Sequence, residues 1–427
     1  MKKPNTAQLQ KTQKQLNVIS AAFRDYMATG RYVQAVAEAL KAHKLIPAAV
    51  APLSDAATAA VKADLMDDAI AYAQKALKRN PQHINSLDAL AHAYGTLEDW
   101  QNSGVYGLQA LQLRDAKVAA QPAPQLPTVT PNPNGKKIIA FSLFGSSSAY
   151  IEPAVINTEI VADVYPGWVC RFYIDGSMPE AAVERMKNNG AEIVRVSAEQ
   201  QQWPGTMWRF LAMDDPGAAY IIFRDADSVI SQREAAAVQE WLESGRYFHT
   251  MRDAGSHTEL ILAGLWGAVA GAVPDMEGKI QAYLSQPLES RHFADQFFLR
   301  DHIWAYVRQS LYAHDRIFGF FDAHPFPGPQ VPYKLTHIGY DEGSSHFSAP
   351  YDLPDDSPVV WKLYSKVSPL LSPEAGLQEL AQERLVCQYE TTVQNGTISG
   401  HIPRRYSRGF AEKLSRMIVA PLNKAPA

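Results

Sequence analysis

The first 115 residues repeat with a period of 34, and this repeat constrains the fold more than any other feature of the chain. Apolar and small residues return at the same offset in successive units. The matching positions are Tyr32, Met66 and Trp100; Ala35, Ala69 and Ser103; Ala42, Ala76 and Ala110; Pro47 and Pro81; Ile19, Leu53 and Leu87; and Phe23, Ala57 and Ala91. Small residues at fixed offsets let two helices approach closely, so the period predicts stacked helix pairs.

The period and the small-residue positions resemble tetratricopeptide repeats, in which each unit is a helix–turn–helix. Three units are present, and Gly95 lies at the usual glycine position of the third unit alone. By this resemblance, residues 1–115 form a short solenoid with a concave face. Two roles stay open: binding of a protein or peptide partner, and a structural role in which the solenoid self-associates or braces the rest of the chain.

A proline-rich stretch follows the repeats. Five prolines lie between Ala116 and Lys137, a composition that favours an extended, semi-rigid spacer over packed structure. We therefore expect a linker at 116–136, a second domain at 137–350, and a C-terminal extension with terminal helices at 351–427.

Composition excludes several classes of protein. The 427 residues are 46% hydrophobic and 20% charged, enough for two or three cores, and the formal charge of −4 favours no nucleic-acid partner. Two cysteines are too few for a disulfide framework, and the polar start of the chain has no apolar signal segment. We expect a cytoplasmic protein without a transmembrane segment.

Residues 137–225 alternate between strand and helix patterns. Strands are predicted at 138–144, 169–174, 192–196 and from Tyr220, and helices at 151–164, 179–188 and 208–213. Such alternation predicts a mostly parallel sheet that binds ligands at the carboxyl ends of its strands. Gly145, Asp175 and Asp225 fall at such ends. The turn at Gly145 could receive a nucleotide, although it lacks a Gly-x-Gly-x-x-Gly or P-loop pattern and a plain turn is the alternative.

Two acids, Asp225 and Asp227, follow the strand from Tyr220 with one residue between them. Side chains two apart on an extended chain point the same way, so both carboxylates could hold one hard cation that bridges a diphosphate. A turn after a buried strand is the plain alternative. The run to Val229 also fits the signature of haloacid-dehalogenase-type phosphatases, with Asp225 as nucleophile, but that signature normally follows the first strand of its domain.

A set of motifs over roughly residues 137–350 resembles bacterial GT-A-like glycosyltransferases. The motifs are Tyr165-Pro-Gly-Trp168, Met207-Trp-Arg209-Phe, Phe223-Arg-Asp-Ala-Asp-Ser, His249-Thr-Met-Arg-Asp253, Leu262-Ala-Gly-Leu-Trp-Gly267 and Asp295-Gln296. The resemblance implies an α/β GT-A-like fold with a Rossmann-like mixed sheet. It implies a nucleoside-diphosphate sugar as donor, Mn²⁺ or Mg²⁺ held by Asp225 and Asp227, and Arg209 in contact with the donor phosphate or sugar.

Asp295-Gln296 resembles the Asp-Gln pair of glycogenin-like and galactosyltransferase-like retaining enzymes, where the pair lies beside the anomeric carbon. A helix N-cap is the alternative role of Asp295. Retaining enzymes usually add a metal-binding histidine in a longer motif. His337 is the nearest match here, but the Lys-Pro-Trp part of that motif is missing, which leaves the third metal ligand and the stereochemical outcome open.

Three further residues are candidates for the site. Asp253 or His257 could be the general base of an inverting reaction, with a surface ion pair as the alternative. Trp266 could offer an apolar face to a sugar ring, with a core tryptophan as the alternative. The basic tail at 402–419 could contact an anionic membrane or form a terminal helix on its own domain.

The sequence thus predicts a metal-dependent glycosyltransferase that acts on a glycan, lipid-linked or protein acceptor. Contact with the inner membrane face would be peripheral, and the repeats would bind a partner or self-associate. A non-catalytic scaffold that binds a glycan or nucleotide is the alternative from another class, and a phosphatase is third.

Overall fold

The computed structural model describes residues 6–329, 332–333, 336–370 and 377–422. It divides into two compact units, each made of three stretches of chain. The helical unit contains Met1–Ala123, Arg252–Leu260 and Ala313–Pro325, and the sheet unit contains Pro124–Met251, Ile261–Tyr312 and Phe326–Ala427.

Successive helices pack against one another in the helical unit. Over the described part of residues 1–123 they are α1 (Thr6–Ala28), α2 (Tyr32–Leu45), α3 (Ala51–Lys62), α4 (Met66–Leu77), α5 (Ile84–Thr96) and α6 (Trp100–Ala119). The second helix of each pair begins at Tyr32, Met66 and Trp100, at the predicted spacing. The prediction of a helical repeat is therefore confirmed.

The small residues of the repeat lie where the helices meet. Ala35, Ala69 and Ser103 are fully buried, and the Ser103 hydroxyl donates a 2.8 Å hydrogen bond to the Ala91 carbonyl. A larger side chain at these positions would overpack the interface, which typically costs about 1–3 kcal/mol. Asp99 caps α6 by accepting from the backbone of Asn102 at 3.1 Å.

Two segments from the second half of the chain complete the helical unit, and the repeat pattern does not predict them. A Cβ on Gly95 would lie 2.8 Å from the Cα of Gly255, and a Cβ on Gly107 would overlap the ring of Phe318. Glycine therefore permits the close approach of both segments. Arg114 in α6 donates to Asp88 at 2.9 and 2.7 Å and to Glu259 at 3.2 Å.

A mixed seven-stranded sheet runs through the described residues of the second half. Its strands are β1 (Lys136–Leu143), β2 (Trp168–Ile174), β3 (Glu192–Arg195), β4 (Ala218–Arg224), β5 (Phe248–Arg252), β6 (Trp266–Val269) and β7 (Leu311–Asp315), in the order β3-β2-β1-β4-β6-β5-β7. The pairs among β1 to β4 are parallel, whereas β6 is antiparallel to both β4 and β5. The expected mixed α/β sheet is confirmed at this level.

The described helices of the sheet unit include two at the predicted 151–164 and 179–188, whereas the predicted helix at 208–213 is a 3-10 helix. They are α7 (Ser148–Val164), α8 (Glu180–Asn188), α9 (Gln232–Ser244), α10 (Met276–Leu284), α11 (Ala294–Phe298), α12 (Trp304–Val307) and α13 (Arg404–Ala411). Gly205–Asp214 is a 3-10 helix, and a π-helical turn at Leu299–Ile303 joins α11 to α12. No helix among the described residues is long and apolar enough to cross a membrane.

The central strands form the core of the sheet unit because their side chains are apolar on both faces. Ile139, Phe141 and Ile222 are fully buried, and Phe141 stacks on Phe172 with ring centroids 4.7 Å apart. Burial of such a side chain typically contributes about 1.5–3 kcal/mol. These strands therefore hold their carboxyl ends in fixed positions.

The C-terminal extension shares this core. Its described strands, together with β8 (Ser345–Pro350) just before it, are β9 (Pro358–Val367), β10 (Glu379–Thr392), β11 (Thr397–Ile402) and β12 (Ser415–Pro421), paired as β10-β9-β12 and β11-β8. Trp361 and Tyr406 pack in the same cluster as Ile151 and Phe172. Arg185 donates to the buried Glu152 at 2.7 and 2.9 Å and to the carbonyl of Val386 at 2.8 Å.

The structure differs from the terminal helices expected at 351–427. The described residues of this region contain one helix, α13, and the basic tail continues into the strand β12. Pairing with β9 decides its conformation, because the backbone groups of Ser415–Pro421 find ladder partners there.

Candidate functional site

The candidate site lies at the carboxyl ends of β1 and β4. These strands are parallel neighbours, while β2 and β3 follow β1 on its other side, so the strand order reverses between β1 and β4. Open α/β sheets bind ligands in the crevice at such a switch point. Gly145 follows β1 and Asp225 follows β4, so two of the predicted positions flank this crevice.

Arg209, in the 3-10 helix, is the centre of the site. Its side chain is only 2% exposed and donates to Asp225 at 2.5 Å, to Asp295 at 3.0 Å and to the carbonyl of Arg224 at 2.9 Å. An exposed helical arginine is thereby excluded. A buried guanidinium needs such charged partners because removal from water disfavours the unpaired charge.

The acid pair differs in its surroundings. The Asp225 side chain is 53% exposed and lies against Gly264, where a Cβ would come within 2.9 Å of the Asp225 nitrogen. Burial, with the nearby charges of Asp225 and Asp341, raises the pKa of Asp227 to about 7. The two carboxylates therefore repel each other, and a bound cation would relieve that repulsion.

Asp341 is a residue that the sequence did not single out. It forms an isolated β-bridge with Ser228, and the following Glu342 donates its backbone N–H to the Asp227 carbonyl at 2.9 Å. Glu342 is buried and pairs with Arg405 at 3.0 Å, which fixes this loop. No local sequence pattern identifies Asp341, because it reaches the acid pair only when its loop folds back onto the residues after β4.

Tyr150, in the first turn of α7, is a second such residue. Its side chain is 47% exposed. Burial raises its pKa, and the charges of Asp227, Asp341 and Asp225 raise it further. The phenol therefore keeps its proton and can donate a hydrogen bond.

Asp295 and Gln296 lie at the start of α11, where Phe293 is the capping position. Asp295 is therefore inside the helix and accepts from Arg209 and, at 2.9 Å, from the backbone of Gln296. Burial raises the pKa of Asp295, while Arg209 acts in the opposite direction. The side-chain amide of Gln296 is oriented so that its nitrogen donates to the Ile261 carbonyl at 2.8 Å and its oxygen accepts from the Ala263 N–H at 3.1 Å.

Ser177 connects the residues that follow β1 and β2 through hydrogen bonds. Gly145, with φ of 78°, donates its N–H to the Ser177 hydroxyl at 2.7 Å, and the backbone of Ser177 donates to Asp175 at 3.0 Å. Next to Gly145, the Phe144 side chain is 43% exposed, with its ring edge-to-face with Trp208 at 5.4 Å. An aromatic residue directly after a buried strand was the signal that could have identified Phe144.

Trp266 is a core residue and not a platform for a sugar ring. It is fully buried in β6 and stacks on Phe223 with ring centroids 4.3 Å apart. A side chain without exposed surface cannot offer a face to a sugar, so the core alternative applies.

Asp253, His257 and His337 have other surroundings. Asp253 and His257 belong to the helical unit, where the Asp253 N–H donates to the His257 Nδ1 at 3.0 Å. Both are buried, and the Asp253 carboxylate lies 3.9 Å from Arg316, so they form an internal network instead of a surface ion pair. His337 is half-buried, and its ring contacts Tyr340 edge-on at 5.2 Å.

The site offers carboxylate oxygens to a cation. Within the described residues, no group of three or more His, Cys, Asp or Glu side chains is arranged to hold a metal ion. Mg²⁺ is commonly held by one or two carboxylates together with substrate phosphates, and that number is what Asp225 and Asp227 provide. The donor set therefore fits a hard divalent cation that is completed by a ligand.

The chain shows only weak similarity to known proteins. No protein-family model and no curated protein matches the chain. Among solved structures, the TPR2B domain of yeast Sti1 in complex with pHsp70 is 20% identical over 25% of this chain and 85% of that chain, with a TM-score of 0.24. An O-GlcNAc transferase mutant from Thermobaculum terrenum is 11% identical over 50% of this chain and 46% of that chain, with a TM-score of 0.28.

The 4-diphosphocytidyl-2C-methyl-D-erythritol synthase from Anaerococcus prevotii is 9% identical over 43% of this chain and 87% of that chain, with a TM-score of 0.28. At these TM-scores, none of the three likenesses bears on the activity of the chain.

Proposed function

We propose that the protein is a glycosyltransferase that moves a sugar from a nucleoside-diphosphate sugar to a glycan, lipid-linked or protein acceptor. One observation carries the proposal: a buried arginine, Arg209, joins Asp225 and Asp295 beside the switch point of the sheet. The arrangement combines carboxylates for a cation with a buried guanidinium that fixes two of them and adds positive charge beside the site, which suits a sugar diphosphate.

The nucleoside would bind at the ends of β1 and β2. The exposed ring of Phe144 is steadied by Trp208 and offers one face to a base, and stacking of a base on an aromatic ring is worth about 1–3 kcal/mol. The carboxylate of Asp175 is positioned by Ser177 and could accept from a ribose hydroxyl or a base N–H. These roles use the two strand ends that the sequence assigned to the nucleotide.

The diphosphate would lie beside Asp225 and Asp227. These side chains would hold Mn²⁺ or Mg²⁺, which when bound neutralises charge on the departing diphosphate. Tyr150 would donate its hydroxyl to a phosphate oxygen, because its raised pKa keeps the proton in place. Arg209 would hold Asp225 in position and add positive charge close to the phosphates.

The sugar end of the donor would lie beside Asp295. Its carboxylate is fixed by Arg209 and by the N–H of Gln296, so it could orient a sugar hydroxyl or stabilise positive charge that develops at the anomeric carbon. Gln296 would act indirectly, because its amide holds the backbone of Ile261 and Ala263.

Thermal stabilisation by nucleotide sugars tests the proposal. We expect one nucleoside-diphosphate sugar to raise the melting temperature in the presence of Mn²⁺ and much less in its absence, since ligands that bind the folded state stabilise it. Asp225→Asn and Asp227→Asn should abolish this shift, whereas Asp67→Asn on the surface of α4 should keep it. Failure of every donor tested, or an equal shift in all variants, would refute the donor site.

The two alternatives give different results. A scaffold would bind a donor but release no nucleoside diphosphate in the presence of any acceptor. A phosphatase that uses Asp225 as nucleophile would form an acyl-phosphate, which intact-mass measurement after brief exposure to substrate would detect. The ion pair with Arg209 and the position of Asp225 after the fourth strand favour a binding role for Asp225 over a nucleophilic one.

A further inference from the structure

Two histidines face each other across the two-stranded sheet formed by β8 and β11. His346 and His401 are direct partners in the antiparallel register. Their ring centroids are 5.2 Å apart, and the ring planes meet at 68°. His346 is exposed and His401 is half-buried, so ions in solution can reach the pair.

The opposite face of this ribbon fixes its register. Ile398 and Ile402 are buried there, and Phe347 packs edge-on against Trp361 at 5.2 Å. A slip by one residue would turn these apolar side chains to solvent. The core therefore holds the two imidazoles opposite each other in the absence of any ligand.

The spacing of the rings matches the spacing that a shared ion would impose. A Zn–N bond measures about 2.0–2.1 Å and the ring centre lies about 1.1 Å beyond the nitrogen, so two imidazoles on one tetrahedral ion have centres about 5 Å apart. The observed centroid separation of 5.2 Å equals that spacing, and a rotation of the rings about their side-chain bonds would aim one nitrogen of each at the shared ion.

We propose that His346 and His401 form a binding site for a transition-metal ion such as Zn²⁺, with water completing the coordination shell. Imidazole nitrogen favours Zn²⁺, Ni²⁺ and Cu²⁺, whereas the carboxylates of Asp225 and Asp227 suit Mg²⁺ and Mn²⁺. The site is therefore chemically separate from the acid pair, and it does not depend on transferase activity.

A bound ion would tie β8 to β11 and stabilise the segments next to them. The Ser148 hydroxyl at the start of α7 donates to the His401 carbonyl at 2.7 Å. β8 begins shortly after Glu342, which bonds to the Asp227 carbonyl. Binding should therefore raise the melting temperature of the whole protein.

Titration of the full-length protein with Zn²⁺ tests the site. We expect Zn²⁺ to raise the melting temperature, and His346→Ala or His401→Ala to weaken Zn²⁺ binding by at least about tenfold. His292→Ala, which removes an exposed histidine elsewhere, is the matched control and should bind as the wild type does. Co²⁺ should give a visible absorption spectrum that both pair variants lose and the control keeps.

Competition separates this site from the acid pair. Excess Mg²⁺ should leave the Zn²⁺ affinity unchanged, because Mg²⁺ competes poorly for imidazole. Displacement of Zn²⁺ by Mg²⁺ would overturn the assignment, and so would equal Zn²⁺ affinity in the wild type and in folded variants of both histidines.

Discussion

At the scale of single residues, Arg209 organises the candidate site. Its guanidinium is buried and bonded to Asp225 and Asp295, two residues that lie far apart in the sequence. Removal of one partner from a buried ion pair typically costs about 3–5 kcal/mol, because the remaining charge is left uncompensated. Asp225 is 53% exposed, so solvent screens its ion pair with Arg209. We therefore expect the pair of Arg209 with the buried Asp295 to contribute more to the free energy of unfolding.

Asp295→Asn should therefore affect both stability and rate. The change keeps the shape of the side chain but removes a charge beside Arg209 and the presumed anomeric carbon. We expect sugar transfer to slow much more than nucleoside-diphosphate binding weakens, together with a lower melting temperature. Asp301→Asn, on the exposed surface nearby, is the control. An unchanged transfer rate with a lowered melting temperature would reduce Asp295 to a structural role.

Asp227→Asn tests the raised pKa. In the folded state Asp227 has a pKa of about 7, whereas the ordinary pKa of an aspartate is 3.8. Between these pH values the folded state holds a proton that the unfolded state has lost, so a rise in pH favours unfolding. Wild-type stability should thus fall as the pH rises from about 4 to 7. The variant should lack this fall and be more stable at pH 8 by on the order of 1–2 kcal/mol. Denaturant unfolding at pH 5 and pH 8 measures the difference, and an equal effect at both pH values would contradict it.

At the scale of elements, α11 fixes the loop that leads into β6. The side-chain amide of Gln296 forms hydrogen bonds with the backbone of Ile261 and Ala263. These bonds fix the adjacent Gly264, which lies against Asp225. The position of one acid therefore depends on a short helix and a loop as well as on the strand that carries it. Sequence patterns identified Asp295-Gln296 and the acid pair separately, but not the connection between them.

Gly264→Ala should disturb the acid pair without unfolding the protein. The added methyl group would come within 2.9 Å of the Asp225 nitrogen and closer still to its carboxylate, so Asp225 must move. We expect loss of the Mn²⁺-dependent stabilisation by the donor, with little change in circular dichroism. Gly217→Ala, in the exposed turn before β4, should retain it. Equal donor binding in both variants would show that the position of Asp225 is unimportant.

At the scale of the whole molecule, the helical unit is not a simple N-terminal module. Segments Arg252–Leu260 and Ala313–Pro325 are part of it, and Leu260, Phe318 and Phe320 are buried there. The sequence placed a linker at 116–136; α6 continues to Ala119 and β1 begins at Lys136, and residues 120–135 between them contain no helix or strand. The repeats therefore have a structural role within this unit, because they pack against both segments at Gly255 and Phe318.

A chain that begins at Asn134 tests that role. Without the repeats, the buried Phe318 would lose its packing against Gly107, so we expect aggregation or strong binding of an apolar dye. The full-length protein is the control. A soluble, folded product that binds the donor nucleotide would instead support a separable module that selects the acceptor, as the sequence alone suggested.

The sequence by itself determined the features that depend on neighbouring residues. The period of 34 predicted the helix pairs, apolar runs predicted β1, β2 and β4, and Asp225 and Asp227 were identified because they end such a run. Each of these signals acts within a few turns or one strand, where side-chain size, polarity and backbone geometry decide the conformation.

The tertiary structure decided what depends on distant contacts. It placed Asp341 beside Asp227, buried Trp266 in the core, and made the end of the basic tail a strand by pairing it with β9. It also set His346 opposite His401. Such pairings follow from the packing of elements that lie far apart along the chain, and no local pattern of residue types encodes them.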